Sequence, residues 1–251
     1  MSHLPYSPIQ RRNLTHRVPR ILTGLMFLGV IGYFSFELYA SPLFRVQSVE
    51  LSNQNKVTET AVRHLANIRY DQHLLLFDTV WAESQIEKHP WVKKASVSRT
   101  FPSAVHVEVE EYTPTLLLAL ERLWYVDDEG DIFRAADSHD INHPILTGVP
   151  QDWTTEHPTL VQTIIRDALV IRKAFDIPLF SSEDNISEIH FQRETGFQVI
   201  LRNGTTISLG FYEPYGRVER LRKMVAKGLD ITTPQRIDLN ADEVAIAKPL
   251  N

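Results

Sequence analysis

Two stretches of this chain hold side chains at spacings that could do metal chemistry. His139-Asp140-Ile141-Asn142-His143 sets two imidazoles four residues apart, the spacing that puts two zinc ligands on one face of a helix. Zinc-protease chemistry also needs a glutamate between them as general base, and Asp140 is one methylene short. Pro144 follows at once and no third ligand stands nearby, so the stretch reads as a polar loop. Asp127, Asp128, Glu129 and Asp131 crowd around Gly130 and raise the question of calcium. A helix-loop-helix calcium site wants acids at alternate positions, glycine at the sixth and glutamate at the twelfth. The spacing here fits an acidic turn instead.

Other chemistries leave less trace. There are no cysteines, which excludes thiolate metal sites and thiol catalysis. No G-x-S-x-G, P-loop or G-x-G-x-x-G occurs, and no carboxylate pair stands out at glycosidase spacing. His16, His64, His73, His106 and His190 are scattered. The formal net charge is −5, so nothing suggests a nucleic-acid face, and the basic run Arg217 to Lys227 reads as a solvated helix side. The expectation is no catalytic residue, no metal, no cofactor and no small-molecule substrate.

The dominant positioning element is the apolar stretch from Ile21 to Tyr39. Its length as a helix is about 28 Å, close to the ~30 Å of a bilayer core. Ile21, Leu22, Leu25, Phe27, Leu28, Val30, Ile31, Phe34, Phe36 and Tyr39 would form the lipid-facing anchor. A cleaved signal peptide would want small residues before the cut, and Leu38-Tyr39-Ala40 supplies them poorly. A buried core helix would show an amphipathic period, which is missing. Arg11, Arg12, Arg17 and Arg20 precede the stretch with no acid among them. By the positive-inside rule the N-terminus stays cytoplasmic and the rest is exported.

Beyond the anchor the pattern is strand (Phe44 to Leu51), helix capped by Thr58, helix opened by Asp78 or Thr79, then strands Trp91 to Arg99 and Ala104 to Glu111. In the second helix Val80, Trp81 and Ile86 are expected on the apolar side. In the last strand Val105, Val107 and Val109 alternate against His106, Glu108 and Glu110. A three-stranded sheet with two helices on one face accounts for this order. The following region reads as a strand at Leu116 to Leu120 and a hairpin around Gly130. A long helix comes next, from His157 to Phe175, with Leu160, Ile164, Ala168 and Ile171 as its stripe. Three strands (Ile186 to Phe191, Phe197 to Leu201, Thr206 to Leu209) precede a helix from Gly216 to Lys227. The chain ends on strands Arg236 to Leu239 and Val244 to Lys248. Overall the fold class is α+β: a transmembrane helix, a β-α-α-β-β domain, and a mixed β-sheet domain with flanking helices.

Several motifs carry a family resemblance. His89-Pro90-Trp91-Val92-Lys93-Lys94-Ala95, then Val97-x-Arg99-x-Phe101-Pro102 and Val105-x-Val107-x-Val109-x-Glu111, resemble a POTRA domain, and more narrowly that of the FtsQ/DivIB cell-division family. The hairpin Asp127 to Phe133 and the strand Pro144-Ile145-Leu146-Thr147-Gly148 resemble the same family. At the end, Asp238-Leu239-Asn240 stands where DLR is usual and Glu243 where a turn glycine is usual. The resemblance implies a cytoplasmic tail at 1–20, a membrane helix at 21–40, a POTRA domain at 43–113 and a second β domain at 114–251.

It also implies a role. Val244, Ala245, Ile246, Ala247 and Lys248 form a last strand, and a last strand often stands at a sheet edge with unpaired backbone groups. In the family, the corresponding region is where FtsB docks. The implied protein is a non-enzymatic scaffold of the bacterial inner membrane at the division septum. It would bind FtsB and FtsL by strand addition, with other divisome membrane proteins as further partners, and help control septal peptidoglycan synthesis. A POTRA-containing translocation component and a membrane-anchored periplasmic hydrolase are the alternatives.

Overall fold

Arg17–Ala40 is one continuous helix, α1, in the computed structural model, which describes residues 17–137, 142–175, 186–211, 214–231, 233–240 and 246–249. Pro19 falls inside its first turn, where the missing N–H costs nothing. Over Leu22–Ala40 no side chain is buried by protein. The length and composition of that segment suffice to cross a membrane.

The chain then divides into two compact units. One takes the described residues up to Gln54, with Thr58–Ile86 and Ala95–Val109. The other takes Asn55–Val57, Glu87–Lys94 and the described residues from Glu110 onward.

In the first unit the strand expected from Phe44 starts later. Ser41 caps a 3-10 turn at Pro42–Phe44: its hydroxyl accepts from the Leu43 N–H, and its carbonyl from the Phe44 N–H. That turn takes Phe44, the first residue expected to be extended; Arg45 makes an isolated bridge to His73, and β1 runs only over Ser48–Ser52. The helix α2, Glu59–Leu65, starts where Thr58 predicts, with Thr58 Oγ1 accepting from the Ala61 N–H at 3.3 Å. Helix α3, Thr79–Ile86, is capped by Asp78, whose Oδ1 accepts from the Trp81 N–H at 3.0 Å. It ends three residues before the expected stop at His89. Its buried side chains are Ala82 and Ile86, while Val80 and Trp81 are exposed, against expectation. Ala82 and Ile86, four apart, share the inward face, and Val80 and Trp81 do not fall at that spacing.

Strands β2, Val92–Thr100, and β3, Ala104–Glu111, complete a three-stranded sheet in the order β1-β3-β2, with β1 parallel to β3. Val105, Val107 and Val109 are buried as the alternation requires, and His106, Glu108 and Glu110 are not. The β-α-α-β-β order is thus as read.

The second unit is organised on a nine-stranded sheet. Its strands are β4 (Leu116–Ala119), β5 (Leu123–Val126), β6 (Ile132–Ala135), β7 (Ile145–Thr147), β8 (Ile186–Gln192), β9 (Gly196–Leu201), β10 (Thr206–Gly210), β11 (Gln235–Asp238) and β12 (Ile246–Pro249). In space they run β12-β11-β10-β9-β8-β7-β4-β5-β6. The β4–β7, β7–β8 and β10–β11 pairs are parallel and the others antiparallel. Parallel pairs need long crossover connections: the β5–β6 hairpin lies in that of β4–β7, and helices lie in those of β7–β8 and β10–β11. Helix α4 is a single turn at Trp153–Glu156. Helix α5, Pro158–Ala174, buries Val161, Ile164, Ile165, Ala168 and Ile171. Leu160, expected in that stripe, is exposed: the inward face is set by the 161–165–168 spacing, which leaves 160 turned away. Helix α6, Pro214–Ala226, buries Val218 and Leu221. Together these helices and one sheet face enclose the main core, from Leu116 to Leu239.

Candidate partner-binding edge

The end of the sheet nearest the C-terminus is built by alternation. Ile237 and Leu239 are fully buried while Arg236 and Asp238 are exposed, so β11 has one core face and one wet face. β12 pairs with it antiparallel, with Asp238 opposite Ile246, Ile237 opposite Ala247, Arg236 opposite Lys248 and Gln235 opposite Pro249. Among the described residues no strand lies on the far side of β12. Of the five residues expected to form the binding strand, Ile246, Ala247 and Lys248 are in β12, and Lys248 is exposed. Val244 and Ala245 lie outside the described residues.

The approach to this edge is held by a residue the sequence reading assigned to solvent. Arg217, on α6, is buried. Its Nη1 donates to Asn240 Oδ1 at 3.4 Å and its Nη2 to the Asn240 carbonyl at 3.5 Å. The Asn240 N–H in turn donates to Asp238 Oδ1 at 2.9 Å, a local turn that ends β11. Gly210, at φ +69°, makes room: a Cβ there would stand 2.4 Å from both Arg217 Nη1 and Asn240 Oδ1. The available sign in the sequence was spacing, since Arg217 is four residues from the buried Leu221 and so shares its face.

A second cluster lies around the opposite end of the same sheet. Asp127 is buried. Its Oδ1 accepts from the N–H groups of Glu129 (3.0 Å) and Asp131 (2.8 Å), and its Oδ2 from Lys93 Nζ at 2.9 Å. Lys93 also reaches Glu129 Oε1 at 2.8 Å. The Glu129 and Asp127 carboxylates hold the Lys93 ammonium, pushing its pKa above the ordinary lysine value. Carboxylate oxygens of Asp127, Glu129 and Asp131 come within 4.8 Å of one another, close enough for an ion. Lys93 Nζ already supplies positive charge to two of the three carboxylates. Of the other metal candidate, His143 is half-buried and His139 lies outside the described residues.

Beside the ion pairs four rings meet. Tyr112 stacks on Phe133 (centroids 4.5 Å, 7° between planes), Trp91 lies 5.5 Å from Tyr125 and 5.7 Å from Phe133, and Tyr125 is 5.7 Å from Phe133. The Arg134 guanidinium sits 5.0 Å and Lys56 Nζ 5.4 Å from the Trp91 ring. Glu111 closes the group. Burial pushes its pKa up, but the N–H groups of Asn55, Lys56 and Val57, at 2.7–2.9 Å, more than offset this and leave it below the usual carboxylate range. Two motifs quoted separately from the sequence, His89 to Lys93 and Asp127 to Phe133, are therefore one packed cluster.

A β-α-α-β-β unit has the element order of a POTRA domain, and here it follows a helix long and apolar enough to cross a membrane and precedes a mixed sheet. Residues 44–112 match a family model described as POTRA domain, FtsQ-type, and residues 119–240 match one described as Cell division protein FtsQ/DivIB, C-terminal. The chain belongs to the FtsQ/DivIB family of cell-division proteins. Among its relatives, Cell division protein FtsQ of Anaeromyxobacter sp. (strain K) is 27% identical over 222 residues, covering 86% of this chain and 76% of that one. That of Geobacter sp. (strain M21) is 27% identical over 236 residues, covering 90% and 85%. That of Myxococcus fulvus is 26% identical over 212 residues, covering 82% and 74%.

Proposed function

We propose that this chain is a non-catalytic divisome scaffold of the inner membrane. Residues 1–20 form its cytoplasmic tail, 21–40 its membrane anchor, 43–113 a POTRA domain and 114–251 a β domain, the last two on the periplasmic side. It captures FtsB, and with it FtsL, by adding a strand to the free edge of β12, and so couples earlier divisome proteins to septal peptidoglycan synthesis. The observation that carries this reading is the end position of β12 in the sheet. An edge strand offers a row of unpaired N–H and C=O groups that supply affinity, while alternate side chains supply choice.

Capture of a purified FtsB periplasmic segment by the full chain tests the proposal. Backbone alternation tells which substitution is informative. Pro249 has no N–H to give to β11, so its position suits the outward-facing set, and Ala247, two residues earlier, shares that set. Ala247→Pro should abolish capture while the domain stays folded. Undiminished capture by that variant would reject strand addition at β12. Even spread of a fluorescent fusion around the envelope would reject the septal role.

A further inference from the structure

The first unit exposes large apolar side chains beside the end of α1. Leu43 is 57% exposed, Leu76 72% and Phe101 59%. Named contacts tie all three to that end. Leu43 belongs to the 3-10 turn two residues after Ala40. Phe101 meets Phe44 of the same turn edge to face, with centroids 6.4 Å apart. The loop leading to Leu76 is fastened to the helix itself. The His73 ring stacks on Tyr39 at 4.3 Å and its Nε2 donates to the Tyr39 carbonyl at 2.7 Å. Next to it, the Val46 N–H donates to the Gln72 carbonyl and the Asp71 N–H to the Val46 carbonyl, both at 2.9 Å. Arg45 bridges to His73 and pairs with Asp71 at 3.0 Å. Leu76 is three residues past His73, so it stands within roughly 11 Å of the Tyr39 contact.

We infer that Leu43, Leu76 and Phe101 form a foot that dips into the outer-leaflet interface of the bilayer that α1 crosses. The occupant is lipid because the patch continues the lipid-facing surface of α1, no residue of which over Leu22–Ala40 is buried by protein. Apolar side chains held at the headgroup boundary gain burial without leaving the membrane surface. The Arg45–Asp71 pair cancels charge at this level, so the contact is apolar rather than electrostatic. Val80 and Trp81 are also exposed, but no contact fastens them to the helix end, and they are not part of the foot. The inference rests on α1 spanning the bilayer.

The absence of cysteine makes the test direct. Leu43→Cys, Leu76→Cys and Phe101→Cys, each carrying a nitroxide, are placed in the full chain in phospholipid bilayers. Phe27→Cys marks the anchor, and Glu194→Cys, on an exposed turn of the second unit, marks solvent. Labels at 43, 76 and 101 are expected to be relaxed by lipid-soluble oxygen and shielded from a water-soluble nickel chelate, at a depth of about 5–10 Å. The label at 194 should show the opposite preference. Nickel access at 43, 76 and 101 equal to that at 194 would overturn the foot. Shielding from both reagents would overturn it too, since protein rather than lipid would then cover the patch. If the label at 27 reports water, it is the anchor that fails, and that failure is separate from the other two.

Discussion

At one end of the nine-stranded sheet, β6 sends Phe133 into a four-ring cluster with Trp91, Tyr112 and Tyr125, and Lys93 locks the adjoining turn through Asp127. At the other end, β12 pairs, among the described residues, with β11 alone, and a buried arginine on α6 fixes the turn that leaves β11. The same sheet therefore has one end stabilised by dense side-chain packing and one end left with backbone groups to offer. Edges are an aggregation hazard unless they are short or protected. β12 is four residues long and carries Lys248 and Pro249, both of which discourage indiscriminate pairing.

This contrast predicts a graded set of substitutions. The largest effect should come from Trp91→Ala, which removes a buried ring from the cluster. Thermal or urea unfolding should show a loss of about 3–4 kcal/mol. A loss under about 1 kcal/mol would mean that the cluster contributes little more than a surface contact. Next comes Lys93→Met, which leaves Asp127 buried without its cation. The cost should be about 2 kcal/mol, below the range for a fully buried pair because Lys93 keeps part of its solvent. The wild-type lysine contribution is present below the unfolded lysine pKa and is lost as pH rises through the higher folded value, so it should not vary between pH 5 and 8.

A smaller effect, about 1 kcal/mol, is expected for Glu111→Ala, since water can reach the three freed N–H groups. Its sign with pH is opposite to that of Lys93. The folded pKa of Glu111 lies below the unfolded value of about 4.3, so its contribution is complete above that value and is lost as pH falls through the folded pKa. The variant should show a flatter stability curve in acid than the parent, which stability measured from pH 6 down to pH 3 would reveal. The smallest stability effect belongs to the other end of the sheet. Ala247→Pro should move the melting temperature hardly at all and yet remove FtsB capture. Ile246→Pro, which takes a donor from the β11 ladder, should remove capture and loosen the hairpin as well. A lower melting temperature for Ala247→Pro than for Ile246→Pro would show that the alternation argued from Pro249 is inverted.

Much of the architecture was readable before the fold was known. Alternation at Val105, Val107 and Val109 named the inward face, Thr58 named a helix start, and Gly130, at φ +93°, marked its turn. The misses have one cause in common. Ser41 turned the expected start of β1 into a 3-10 turn. Val80, Trp81 and Leu160 are apolar yet exposed, and Arg217 is charged yet buried. Residue type states what burial would be worth, whereas the neighbouring elements decide which face is buried.

The sequence by itself determined the long apolar helix, the order of elements and the family, because apolar length, period and motif spacing are local properties of a chain. Only the tertiary structure decided that β12 stands last in its sheet, that the motif at Trp91 packs on the hairpin at Phe133, and that Arg217 holds Asn240. The last two join residues more than twenty positions apart, and the first depends on the order of the whole sheet. Such pairings depend on how strands are ordered in space, and no local pattern records that order.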